Sequence, residues 1–264
     1  MIQFVELDGA RVAYRVDGEG PPLLLVSGTG GDLNSNWDHL MPALIGRRTV
    51  LRVDYSGSGH TQDDGGVLTL ATLASQVMAA ATANGFESFD LLGYSLGGAV
   101  ASAIAAEGKG QVRSLMLLAP LVNGSEPRLQ LQFDIWQQLI RTDPVTFARL
   151  VLLNGFSPRF LRQFTHEQIA QWTELICASN HWDGLLRQVE LDSRIDIRCD
   201  LPKISARTLV VGGAQDFVLG SNQAAQAAAL VPGAQYTELD AGHMMPFECP
   251  EDLLDVIEKF LTST

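Results

Sequence analysis

The sequence predicts an α/β fold: a mostly parallel central sheet flanked by helices, carrying a helical cap insertion. Three observations point to it. Apolar runs of strand length alternate with helix-forming stretches up to Leu118 and again from Thr208. Between Leu121 and Asp200 the alternation stops and helix starts replace it. In the first half, Gly93-Tyr-Ser95-Leu-Gly97-Gly98 lies between an apolar run and an alanine-rich stretch, where a strand must turn sharply into a helix.

The elements follow in order. Phe4 to Val16, broken by Asp8-Gly9, reads as a hairpin with an Asp-Gly turn. Leu23 to Val26 is a continuous apolar run, suited to a strand buried on both faces. It runs into Ser27-Gly-Thr-Gly-Gly31, and a helix is expected near Trp37 to Leu44. Thr49 to Val53 is the next strand, ending at Asp54-Tyr-Ser-Gly-Ser-Gly59. A helix is expected at about Leu70 to Ala83, then a strand at Phe89 to Leu92, a helix at Ala99 to Ala106 and a strand at Ser114 to Leu118. After the insertion come strands at Thr208 to Val211 and Tyr236 to Leu239, separated by a helix at Gln223 to Leu230. A last helix, Glu251 to Leu261, has Pro250 near its start.

Inside the insertion, Asp143-Pro144 and Ser157-Pro158 each place a capping side chain before a proline at the first helical position. Thr165-His-Glu-Gln168 fits a capping box. The expected division is a core of residues 1–120 and 201–264 with a helical cap, or lid, over 121–200.

Composition narrows the function classes. Of 264 residues, 46% are hydrophobic and 18% charged, which describes a globular chain and not a disordered one. A formal net charge of −12 argues against nucleic acid as a partner. No apolar run is long enough for a bilayer, and Met1 to Leu7 lacks the pattern of a signal peptide. The three widely spaced cysteines, Cys177, Cys199 and Cys249, suggest reduced thiols and a cytoplasmic location. No metal or cofactor signature is present, and a phosphate cradle at Gly28-Thr-Gly30 lacks a supporting lysine. The expected partner is a small-molecule substrate.

The sharp turn carries chemistry. It holds the Ser95 hydroxyl clear of the sheet at a helix N-terminus, where developing negative charge is favoured. A serine needs a base, and an imidazole serves best near neutral pH. His243, in Asp240-Ala-Gly-His243, directly follows the last strand and is the expected base. His39 and His166 fall in predicted helices, His181 in the insertion, and His60 on a loop that could rim the pocket. Asp216, at the end of Val211-Gly-Gly-Ala-Gln-Asp216, is the expected orienting carboxylate, in the chain order Ser, Asp, His. Backbone N–H groups of Leu96 and Thr29 are the expected oxyanion donors.

With Gly93 to Gly98, Asp54 to Gly59, Gly-Ala-Gln-Asp216 and Ala-Gly-His243 in place, the chain resembles the α/β-hydrolase superfamily over nearly its whole length. It is most similar to the compact capped members: enol-lactonases, small-molecule esterases, cofactor-free perhydrolases and meta-cleavage-product hydrolases. One departure is Ser27-Gly28, where many relatives have His-Gly.

The resemblance implies a serine hydrolase of a small, largely apolar ester, lactone or thioester, working through an acyl-enzyme without a cofactor. The alternatives are carbon–carbon bond hydrolysis of a diketone-like substrate with the same triad, or a non-hydrolytic ligand-binding or cyclase-type relative. Substrate contacts are expected from Gly28, Tyr94, Trp136, Trp182 and Met244.

Overall fold

The computed structural model describes residues 1–107 and 110–263. β1 (Gln3–Leu7) and β2 (Ala10–Asp17) form the expected hairpin, with Gly9 at a φ of 77° in its turn. They continue antiparallel into a sheet with β3 (Pro22–Val26), β4 (Thr49–Asp54), β5 (Gln62–Asp63), β6 (Phe89–Tyr94), β7 (Val112–Leu118), β8 (Arg207–Gly213) and β9 (Gln235–Leu239). The order is β1-β2-β4-β3-β6-β7-β8-β9, with β5 paired to β2; every pairing from β4 to β9 is parallel.

Alternation along the central strands builds two cores. Leu24, Val26, Leu91, Leu115 and Leu117 point into one, and Leu23, Leu25, Leu92, Met116 and Leu118 into the other. The first core is covered by α2 (Leu70–Ala83), α3 (Leu96–Ala106) and α9 (Ser221–Leu230). The second is closed by α1 (Met41–Leu44), by α10 (Met245–Glu248), which buries Met245, and by α11 (Pro250–Thr262), which buries Leu253, Ile257 and Phe260. No helix among the described residues is long and apolar enough to cross a membrane.

Between β7 and β8 run five helices: α4 (Pro127–Thr142), α5 (Pro144–Gly155), α6 (Pro158–Leu161), α7 (His166–Ser179) and α8 (Trp182–Asp192). The caps are those expected: Asp143 accepts from Thr146 N–H, Ser157 from Phe160 N–H, and Thr165 with Gln168 closes a capping box. An isolated antiparallel bridge between Asn123 and Asp196 ties the two ends of this insertion, and Gln223 on α9 accepts from the Val122 and Asn123 amides.

One element differs from expectation. The stretch from Leu33 to Leu40 is turns, and only Met41–Leu44 is helical, so His39 lies on a turn. Asp32 accepts from the amides of Asn34 and Ser35, and Ser35 Oγ accepts from the amide of Asp32. These local side-chain bonds compete with helical ones.

Candidate active site

Ser95 joins β6 to α3 with φ 55° and ψ −116°, a backbone conformation rare for any residue with a side chain. The turn is tied on both sides. Ser95 N–H donates to the Leu118 carbonyl at 2.9 Å, and the Ser95 carbonyl accepts from Gly98 at 2.9 Å and Leu121 at 3.1 Å. Glycine at 97 has a steric reason: a Cβ there would overlap the carbonyl oxygens of Val26 and Ser27.

The strand ends bring the three expected side chains together. His243 Nε2 lies 3.1 Å from Ser95 Oγ, and His243 Nδ1 lies 2.7 Å from Asp216 Oδ2. All three are buried. Asp216 Oδ1 accepts from the amides of Val218 and Leu219, each at 2.9 Å, which fixes the carboxylate on the far side of the ring. Burial by itself would raise this carboxyl, but the charge and hydrogen bond of His243, with the neighbouring amides, outweigh it and hold Asp216 below the usual carboxylate range. Tyr94 supports the imidazole from beneath: its ring centroid is 5.2 Å from that of His243, and its hydroxyl donates to the His243 carbonyl at 3.1 Å. The Met244 amide donates to the Gly155 carbonyl, so the histidine loop also leans on the end of α5.

The loop after β3 leaves one amide conspicuous. Gly28 N–H donates to Asn36 Oδ1, Gly30 N–H to Gln188 Oε1 and Gly31 N–H to the Gly28 carbonyl. Among the described residues, Thr29 N–H has no protein acceptor, and neither has that of Leu96 at the start of α3. Ser27 anchors the loop's base: its hydroxyl donates to the Asp32 carbonyl and accepts from Trp37 Nε1 at 2.8 Å. Asp54 secures the neighbouring turn by accepting from Leu33 and His60 amides; burial pushes its carboxyl up to about 6 against those two bonds.

Above Ser95 opens a cavity of about 540 Å³ between the sheet's carboxyl edge and the inserted helices. Its floor is Gly28, Thr29, Tyr94, Ser95 and His243; its walls include Phe133 and Trp136 from α4, Phe147 and Leu152 from α5, and Trp172 and Ile176 from α7. Met244 and Phe247 close one side, and Asn34, Asp38 and His39 add a polar edge. Gly28, Tyr94, Trp136 and Met244 thus line this cavity.

Trp182 does not. It starts α8 behind Phe147, edge-on to it at 6.0 Å, and its indole fills the packing between helices instead of the cavity wall. His60 and His181 are exposed and also lie off the wall, whereas His39 reaches it. Sequence reading missed α8's contribution, Leu185 and Asp192, and the loop residues Val218 and Leu219. The α8 signal was present: Gln188 and Asp192 interrupt the apolar stripe of Leu185 and Val189 at helical spacing.

A buried serine within reach of an imidazole held by a carboxylate, beneath a mostly apolar cavity, can perform nucleophilic acyl chemistry. Comparisons with known proteins agree in class. A family model described as "Alpha/beta hydrolase family" matches residues 23–256. Pyrrolizixenacetamide deacetylase of Xenorhabdus hominickii is 44% identical over 98% of this chain and 97% of its own length. A hydrolase from Pseudomonas aeruginosa PA01 superposes with a TM-score of 0.88 at 29% identity, over 99% of this chain and 98% of that one. The enol-lactonase from Burkholderia xenovorans LB400 gives a TM-score of 0.88 at 25% identity, over 99% of this chain and all (100%) of that one. The chain belongs to the alpha/beta hydrolase family.

Proposed function

We propose that the chain is a serine hydrolase that removes a short acyl group from a small, largely apolar amide or ester. The observation that carries this reading is the Asp216–His243–Ser95 line of hydrogen bonds, 2.7 Å and 3.1 Å, ending at the floor of the cavity. Ser95 Oγ attacks the carbonyl carbon as its proton passes to His243 Nε2. The negative charge that develops on the carbonyl oxygen is met by the unpaired N–H groups of Thr29 and Leu96. Collapse breaks the carbon–nitrogen or carbon–oxygen bond, and the imidazolium returns its proton to the leaving amine or alcohol. Water then attacks the acyl-enzyme as its proton passes to His243, and the imidazolium returns that proton to Ser95 Oγ as the acyl bond breaks and the acid leaves.

Asp216, ionised and bonded to Nδ1, keeps Nε2 free to accept and stabilises the imidazolium. The amide bond enters through the relative that is 44% identical, whose name denotes a deacetylase of an acetamide. The aromatic walls support an apolar leaving portion. Residues 1–120 and 201–264 serve as the catalytic core in this reading, and 121–200 as the cap that encloses the substrate. The unpaired Cys177, Cys199 and Cys249 support a reducing, cytoplasmic compartment.

The test is a panel of matched anilides and aryl esters carrying acetyl, butanoyl and octanoyl groups, with acid release as the readout. Turnover favouring the short acyl groups, on esters and on at least one anilide, is expected. Failure on every short-chain substrate contradicts the reading.

A further inference from the structure

Helix α8 touches the loop after β3 through polar groups set into its apolar face. Gln188 is fully buried and bonded at both ends: Oε1 accepts from Gly30 N–H at 2.8 Å, and Nε2 donates to Ser58 Oγ at 2.7 Å and to the Ser56 carbonyl at 3.1 Å. One helical turn on, Asp192 is 2% exposed, and its Oδ2 accepts from the Thr29 hydroxyl at 2.7 Å. Helix and core meet backbone to backbone, since a Cβ on Gly184 would overlap the Gly57 backbone. Arg187 pairs with Asp63 at 2.9 Å beside this contact. α8 therefore holds the residue with the unpaired amide in two ways: through the next amide along, that of Gly30, and through the Thr29 side chain itself.

Stability does not explain Asp192. Its Oδ1 has no hydrogen-bond partner among the described residues, so a buried carboxyl is retained for one bond. A half-satisfied buried polar group is worse for stability than an apolar one of the same shape. Burial pushes the carboxyl up to about 7, and the Thr29 hydroxyl offsets this only in part. What the single bond accomplishes is to fix the residue whose N–H is left free beside Ser95.

We propose that Asp192 and Gln188 are positioning residues for the Thr29 N–H, holding it aimed at the carbonyl oxygen of the acyl substrate. The inference rests on the reading of Ser95 as nucleophile. Preorganised donors act in the transition state more than in the ground state, so loss of aim lowers kcat and leaves KM nearly unchanged.

The experiment uses the full chain with a short-chain aryl ester and a boronic acid that forms a tetrahedral adduct with serine. Asp192→Ala and Thr29→Val are each expected to lower kcat roughly 10- to 100-fold, with KM within about threefold. Boronate affinity should fall in parallel with kcat. The double variant Thr29→Val with Asp192→Ala should be no worse than the poorer single one, because both break the same bond. Asp192→Asn, whose carboxamide oxygen can accept that bond, should recover most of the rate.

Thr29→Val leaves the buried carboxyl in place, so it decides the matter even if Asp192→Ala fails to fold. Unchanged kcat and boronate affinity in folded Thr29→Val would overturn the proposal. If instead the wild-type chain fails to react with a fluorophosphonate at Ser95, the nucleophile reading falls first and takes the positioning role with it.

Discussion

Ser95 and Leu118 are joined by a hydrogen bond of 2.9 Å from the serine amide to the leucine carbonyl, so the end of β7 holds the turn at Ser95 in shape. A φ of 55° with ψ −116° costs about 1–3 kcal/mol for a residue with a side chain. The packed surroundings absorb that strain. Two replacements separate strain from chemistry. Ser95→Ala should lose roughly 10³-fold or more in kcat with an unchanged Tm. Ser95→Gly should be equally inactive yet more heat-stable by about 1 kcal/mol, because glycine adopts this conformation freely. Calorimetry beside a steady-state assay checks both.

Asp216 is held below the usual carboxylate range by His243 and the Leu219 amide despite its burial, so it stays ionised wherever the enzyme works. Asp216→Asn keeps the size of the side chain and turns an acceptor for Nδ1–H into a donor that favours the wrong tautomer. The expected loss in kcat is on the order of 10³- to 10⁴-fold. Full activity in Asp216→Asn would count against these roles.

Glycine 97 lies under the carbonyls of Val26 and Ser27, with no space for a methyl group. Gly97→Ala must therefore push α3 away from β3 and move Leu96 N–H with it. We expect a stability loss of about 1–3 kcal/mol and a larger proportional loss of kcat. Denaturant titration together with kinetics separates the two effects. A variant with native stability and native rate would contradict the tight fit.

Asp192 also predicts a pH dependence of stability. Its folded-state carboxyl is pushed by burial up to about 7 from an ordinary 3.8, so the native chain holds the proton more tightly than the unfolded chain. The groups facing it are the Thr29 hydroxyl and the Tyr55 phenol, neither of which supplies a positive charge. The favourable contribution is therefore present at low pH and is lost as pH rises from about 4 through about 7. Asp192→Asn removes this liability. Its Tm relative to wild type should be higher at pH 8 than at pH 5, with a differential on the order of 2–4 kcal/mol. Equal differences at both pH values would show that the carboxyl titrates normally.

Trp136 stands in the cavity wall between the edge-packed rings of Phe133 and Phe147. Trp136→Ala should enlarge the space available to the substrate's apolar portion. Rates on a small activated ester should change less than about threefold, while preference among longer acyl groups or bulkier leaving groups shifts by about tenfold or more. Equal effects across the panel would place the pocket elsewhere.

Much of this fold was legible because its signals are local. Strand-length apolar runs, the Asp8-Gly9 turn and the capping side chains of Asp143, Ser157 and Thr165 each declare an element within a few residues. Ser95, Asp216 and His243 were legible as candidates because each follows a strand of a parallel sheet, and such ends share one edge. The expected helix near Trp37 to Leu44 begins only at Met41 because Asp32 and Ser35 satisfy the preceding backbone with their side chains, a competition invisible to apolar spacing. Trp182 was misplaced for another reason. Helical phase says that a residue faces inward, but only packing says whether inward means a neighbouring ring, as with Phe147, or open space. Gln188 and Asp192 went unread although they break an apolar stripe, since their partners lie more than a hundred residues away in sequence.

The most direct test of the central claim is titration of the wild-type chain with a fluorophosphonate, followed by peptide mapping by mass spectrometry and by residual activity. One equivalent of label on Ser95, with activity falling in proportion and no labelling of His243→Ala on the same timescale, is the predicted result. Label on another residue, or full hydrolytic activity in a chain stoichiometrically modified at Ser95, would contradict it.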